Sequence, residues 1–202
     1  MRSLRDDVLG ACLSGAEAIE TIASRMSDDD WFAPTPCHEW DAADLLDHAF
    51  CIAEDYNRFL DCVMDGRTGP LLVHEDLATH NAERMAGLRP AAPLVRLAEF
   101  GLAARRFVTR LPEAWERPLF RMEGRQWRVG DYAGFCALEW HVHAWDLFTS
   151  AGVTYRPYCR ATLATVCGDW LPGLVRVGED PWDALLQASG RHPDVGVWRQ
   201  AS

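Results

Sequence analysis

Apolar residues recur at steps of three and four through the first segment, where Leu4, Val8, Cys12, Ala16, Ile19, Ile22 and Met26 draw one stripe. That spacing sets side chains on a single face of an α-helix, and it predicts a helix ending near Met26. The stretch SDDDWFAPTPCHEW that follows is rich in Pro and Asp and reads as a loop, with Trp31 and Trp40 as its anchors to the core. Asp41 then stands where a second helix needs its cap. Along that helix Leu45, His48, Ile52, Phe59 and Val63 share one side, before a glycine-rich exit around GRTG. His48 is thereby placed inward, among apolar neighbours.

A short helix is expected from Asp76 to Ala86, and a longer one from Pro93 to Arg110 with Leu94, Leu97, Phe100 and Phe107 buried and Pro112 closing it. From Pro118 to Val129 apolar and polar residues alternate around a central EGR, the pattern of a β-hairpin. Gly130 and Asp131 open a further helix that ends at Gly152, followed by one from Tyr158 to Trp170 and a short last one after Asp180. The fold class is mainly α: a bundle of four or five helices with one small hairpin and short C-terminal helices, taken as one domain over residues 1–202.

Composition narrows the function classes. A formal net charge of −10 with scattered arginines opposes binding to phosphate backbones or anionic lipid, so neither nucleic acid nor a membrane is an expected partner. The seven cysteines form no CxxC pair and sit mostly in apolar helical contexts, as reduced thiols of a cytosolic protein do. The segment MRSLRDDVLG carries acidic residues where a secretory signal needs an apolar run, and no stretch reaches the length of a membrane span. A soluble cytoplasmic protein is expected, with a homodimer left open.

Two positions carry the most chemistry. Glu139 and His143 are four apart on a predicted helix, so their side chains lie one turn above the other and can reach one ion. Cys136 and Asp146 share their face. A third ligand has to come from another helix, and His48 is the histidine placed mid-helix on an apolar face elsewhere. Three nitrogen and oxygen ligands leave coordination positions for water, a thiolate or a substrate oxygen, as in a catalytic zinc site. The same spacing also fits two core histidines and an exposed glutamate, and spacing alone does not choose.

The segments PTPCHEWDAADLLDHAF and EWHVHAWDLFTSAG resemble the mycothiol-dependent maleylpyruvate isomerases, which belong to the DinB-like four-helix-bundle metalloenzymes. The resemblance covers Leu4 to Gly152, and the tail LLQASGRHP is similar to the ending of single-domain members. It implies a divalent metal, zinc first, held by His48, Glu139 and His143 as the catalytic centre, with mycothiol as cosubstrate. The implied activity is thiol S-transfer to, or isomerisation of, a small electrophilic metabolite. Two other readings stay open: a hydrolase or lyase using the ion as a Lewis acid without a thiol, and a non-catalytic stress protein that binds a small molecule.

Around this centre, Asp44 is placed either to hold the His48 ring or to cap its helix, and Asp146 either to orient a ligand or to face solvent. His141, two residues from both ligand positions, faces the other way. His38, His74 and His80 are assigned to the surface, and Cys37 to packing rather than nucleophilic attack. Trp40, Trp140 and Trp145 are expected in the core. Asn81, Arg84 and Arg125 are the candidates for gripping an anionic or sugar-like ligand.

Overall fold

A computed structural model describes residues 3–38, 40–67, 77–122, 124–168 and 179–191. Helix α1 (Leu4–Ala23) is capped by Ser3, whose hydroxyl accepts from the Asp6 N–H, and it ends three residues before Met26. Of the expected stripe, Val8, Cys12, Ala16, Ile19 and Ile22 are buried, whereas Leu4 in the first turn is exposed. A single 3-10 turn (Asp30–Phe32) buries Trp31 in the following loop. Helix α2 (Ala42–Met64) begins at Asp41, whose carboxylate accepts from the Asp44 N–H at 2.9 Å. Gly66, at φ 73°, takes the left-handed turn that ends it.

Helix α3 (Leu77–Ala86) is short and lies on α2, and the expected start at Asp76 lies outside the described residues. Helix α4 (Pro93–Ala114) runs past the expected stop and carries Pro112 in its last turn, with only two residues following the proline. Its buried stripe is Arg96, Leu97, Phe100, Ala104, Phe107 and Leu111; Leu94 sits to the side of that stripe and is 62% exposed, contrary to expectation. Arg96 is buried yet charged because Asp47 and Glu99 each accept from it at 2.6 Å.

Strands β1 (Pro118–Met122) and β2 (Arg125–Arg128) pair antiparallel as the expected hairpin. Helix α5 (Val129–Ser150) starts with Asp131 accepting from the Arg128 N–H at 2.8 Å. Helices α6 (Arg160–Gly168) and α7 (Pro181–Ala188) complete the order; Trp170, expected to end α6, lies outside the described residues.

The four long helices close a ring: α1 packs on α5, α5 on α2, α2 on α4, and α4 back on α1. Trp140, Phe100, Phe107 and Tyr56 fill its centre with edge-on and tilted ring contacts. Helix α5 is buried on almost every side, since α6 and α7 cover the face that the ring leaves open. Among the described residues no helix is long and apolar enough to cross a membrane. The seven cysteines form no disulfide.

Candidate metal centre

His48 on α2 and His143 on α5 meet where the two helices face each other, with ring centroids 5.0 Å apart and edge-on. Glu139, one turn before His143, brings a carboxylate oxygen within 3.6 Å of the His143 Nε2. One ligand atom from each of the three residues lies within 4.8 Å of the others. Both imidazoles are buried and Glu139 is partly open. The cluster lines a pocket of about 360 Å³ whose other walls include Cys37, Trp40, Phe135, Leu138 and, from α7 and the turn after it, Leu185 and Arg191. That volume is in the range of small-molecule sites.

The donor set fits a cation. Among the described residues Nδ1 of His48 is buried with no hydrogen-bond partner, a cost that a bound ion would remove. Two imidazoles and one carboxylate are ligands suited to zinc-like divalent ions, and three of them leave positions open. The Trp40 ring lies tilted against the His48 ring, with centroids 4.2 Å apart, and limits how that imidazole can turn.

Electrostatics divide the two histidines. Burial, with the charges of His143 and Arg191 adding to it, holds His48 down at about 2, so its ring is neutral and can offer a lone pair. Burial also opposes charge on His143, but hydrogen bonds and charge from Asp146 and Glu139 outweigh it and raise the ring to about 9. A cation at Nε2 would have to displace that proton. Asp146 is fully buried and lies 3.2 Å from Nδ1 of His143; being a carboxylate it can only accept, so Nδ1–H donates. Burial pushes the Asp146 carboxyl up, yet the hydrogen bonds from His143 and Arg191 hold it below the usual range.

Other expected residues fall elsewhere. Asp44 is exposed at the start of α2 and does not satisfy His48, whose Nδ1 has no partner among the described residues. Asp146, by contrast, is turned fully inward onto His143. His141 does face away: its Nδ1 lies 2.6 Å from the Tyr155 hydroxyl and its Nε2 3.0 Å from the Ala11 carbonyl. Cys136 is completely buried beside Tyr56, with burial pushing its thiol well up, and it does not line the pocket. Trp140 and Trp145 are core residues, whereas Trp40 is a wall of the site.

None of Asn81, Arg84 and Arg125 lines this pocket. Arg84 and His80 both grip Asp55 at 3.0 Å, so they tie α3 to α2, and His80 is partly buried rather than a surface residue. Arg125 lies over the Trp127 ring at 4.2 Å and pairs with Asp131, bracing the hairpin on α5. Asn81 follows His80 on α3. His38 is exposed, and His74 lies outside the described residues. Sequence reasoning passed over Arg191: Gly190 after an amphipathic helix signals a left-handed helix end, but not what the next side chain meets.

A helical bundle that converges two imidazoles and a carboxylate from facing helices on a pocket defines a class of candidate bundle metalloproteins. Within that class, the chain belongs to the mycothiol maleylpyruvate isomerase N-terminal domain family, whose pattern matches residues 12–148, and so to a family of enzymes. Two crystal structures have a similar fold: a mycothiol-dependent maleylpyruvate isomerase, at 17% identity, and a histidine-to-alanine variant of such an enzyme, at 16%. In each case the TM-score is 0.63, and the likeness covers 81% of this chain and 71% of the other. Among curated proteins, none matches the chain.

Proposed function

We propose that the chain binds one divalent cation, zinc, through His48, Glu139 and His143, and works on a small thiol of the mycothiol type to transfer its sulfur to, or isomerise, a small electrophilic metabolite. The convergence of three ligand atoms within 4.8 Å at one end of a pocket carries the reading. Membership of the family supports the thiol.

When bound, the cation would supply the positive charge that lets a thiol ionise near neutral pH. The chain's own residues do the rest. His48 offers a neutral ring, kept so by burial, and Trp40 fixes its plane. His143 is oriented by Asp146 with Nε2 toward Glu139. Glu139, partly open to the pocket, can accept a proton from an arriving group as well as serve as ligand. Leu138, Phe135, Val142 and Leu185 give the pocket an apolar lining that limits water at the sulfur. Of the seven cysteines, Cys12, Cys51, Cys136, Cys159 and Cys167 have their thiols pushed up by burial, so none of those five is a ready nucleophile.

Calorimetric titration with mycothiol tests the proposal on zinc-loaded protein, zinc-free protein and Glu139→Gln, a change of charge with little change of shape. Binding to the loaded protein that weakens at least tenfold in the other two is expected. Equal binding to all three, or to none, contradicts use of a thiol and leaves a thiol-independent role for the cation ahead.

A further inference from the structure

Helix α7 ends in a turn that determines where the next side chain goes. Gly190 sits at φ 77°, a left-handed conformation natural to glycine, and the Arg191 N–H donates to the Leu186 carbonyl at 2.8 Å while that of Gly190 donates to Gln187 at 3.0 Å. The pair is the closing pattern of a helix that reverses its chain. The reversal sends the Arg191 guanidinium inward, where its Nε and Nη2 lie 3.2 and 2.8 Å from the two oxygens of Asp146. Its Nη1 donates to the Ser189 carbonyl at 2.7 Å, so the fork is held from behind as well.

Asp146 has only two partners among the described residues, Arg191 and His143. It is 0% exposed, and a carboxylate in that position keeps its charge only if its neighbours compensate it. Arg191 supplies a full positive charge in a two-point grip that fixes the plane of the carboxylate. The plane of the carboxylate in turn sets the direction from which His143 Nδ1–H must approach, and therefore the direction in which Nε2 points.

We propose that Arg191 is a positioning residue for the metal centre: docking of α7 brings it onto Asp146, and through Asp146 it aims the His143 ring, so that affinity for a cation depends on the C-terminal helix. The inference rests on the proposed cation site. Helix α7 is suited to the part, because Trp182, Leu185 and Leu186 bury its apolar face while Arg156 ties its first turn through Asp180 and Asp183.

The test uses the full chain with Arg191→Ala, Arg191→Lys and Gly190→Ala, at a temperature where circular dichroism shows each folded. Two quantities are read: the exchange-protected Nδ1–H proton of His143 by NMR in zinc-free protein, and zinc affinity by competition with a chelator. Arg191→Ala should lose the protected proton and bind zinc 10- to 100-fold more weakly. Arg191→Lys, a point charge without the fork, should fall between it and the wild type, and Gly190→Ala should weaken zinc in the same direction with the charge retained. An unchanged protected proton together with zinc affinity within twofold of wild type in Arg191→Ala overturns the inference; if that variant does not fold, the same result in Arg191→Lys and Gly190→Ala does so. Absence of zinc binding by the wild type defeats the cation site itself, while the zinc-free proton signal still judges the positioning role.

Discussion

His141 and His143 stand two residues apart on α5 and live in opposite chemical surroundings. His141 turns toward α1 and α6, where it meets the Ala11 carbonyl, the Ser14 and Tyr155 hydroxyls and the Cys159 thiol, none of them a carboxylate. Burial there holds its ring at about 4, a neutral side chain used as a hydrogen-bonded core residue. His143 turns toward α2 and finds Glu139 on one side and Asp146 on the other, which raise it to about 9 despite equal burial. Residue type and depth do not set the charge of a buried ring; the carboxylates beside it do. Helix α7 touches both faces, with Trp182 edge-on to His141 at 6.5 Å and Arg191 reaching His143 through Asp146.

The largest expected effect separates the two faces by metal. His143→Ala should weaken zinc binding by a factor on the order of a thousand, because two ligands remain where three converged. His141→Ala should leave zinc affinity within a fewfold of wild type. A chelator competition assay on both variants reads the contrast, and similar losses in the two would erase it.

Stability should show the reverse weighting. Replacing His141 by Ala empties a fully packed site and strands its hydroxyl and thiol partners, a loss of about 3 kcal/mol in chemical denaturation. The pH dependence of the zinc-free protein sharpens this. His141 has a folded value below its unfolded value of 6.5, so the folded state binds fewer protons and stability falls as pH drops from 6.5 toward 4. His48 and Asp146 act in the same direction. His143 has a folded value above 6.5, so its contribution is complete below 6.5 and is lost as pH rises through 9. At about 1.4 kcal/mol per pH unit between folded and unfolded values, His141 and His143 contribute about 3 kcal/mol each, and His48, displaced further, adds to the acid limb. Denaturation midpoints from pH 4 to 9 should show a maximum near neutrality; His143→Ala should flatten the fall between pH 6.5 and 9, below the range where the five buried thiols weaken the fold, and His141→Ala should blunt the acid limb. A fall between pH 6.5 and 9 that persists unchanged without His143 would contradict the assignment.

The smallest expected effect is on the fold. The core around Trp140, Phe100 and Phe107 is continuous without the ligand residues, so zinc removal should change the helical circular dichroism signal by less than about a tenth. Collapse of the signal would make the centre a structural one.

The inward histidine and the ExxxH pair were legible in the sequence because helical periodicity maps spacing directly onto a face, as the burial of Leu45, His48, Ile52, Phe59 and Val63 on α2 shows. Leu94 and Leu4 were misplaced because each stands in the first turn of its helix, at the rim of the packed face rather than within it. Pro112 misled because the helix carries it in the last turn and stops two residues beyond, rather than ending before it. The roles of Asp44 and Asp146 could not be separated by spacing, since both stand within a turn of a ligand; the cap at Asp41 turns Asp44 outward, and Arg191 makes the interior tolerable for Asp146. Arg191 itself was out of reach, because its meeting with Asp146 spans 45 residues and depends on how α7 docks.

Joint binding of one divalent ion by His48, Glu139 and His143 underlies each of these expectations. Crystals of the zinc-loaded protein, measured on either side of the zinc absorption edge, locate the ion. One strong anomalous peak per chain is expected within about 2.0–2.2 Å of a nitrogen from each imidazole and an oxygen of Glu139. A peak elsewhere, or none at this cluster in protein that elemental analysis shows to carry zinc, would contradict it.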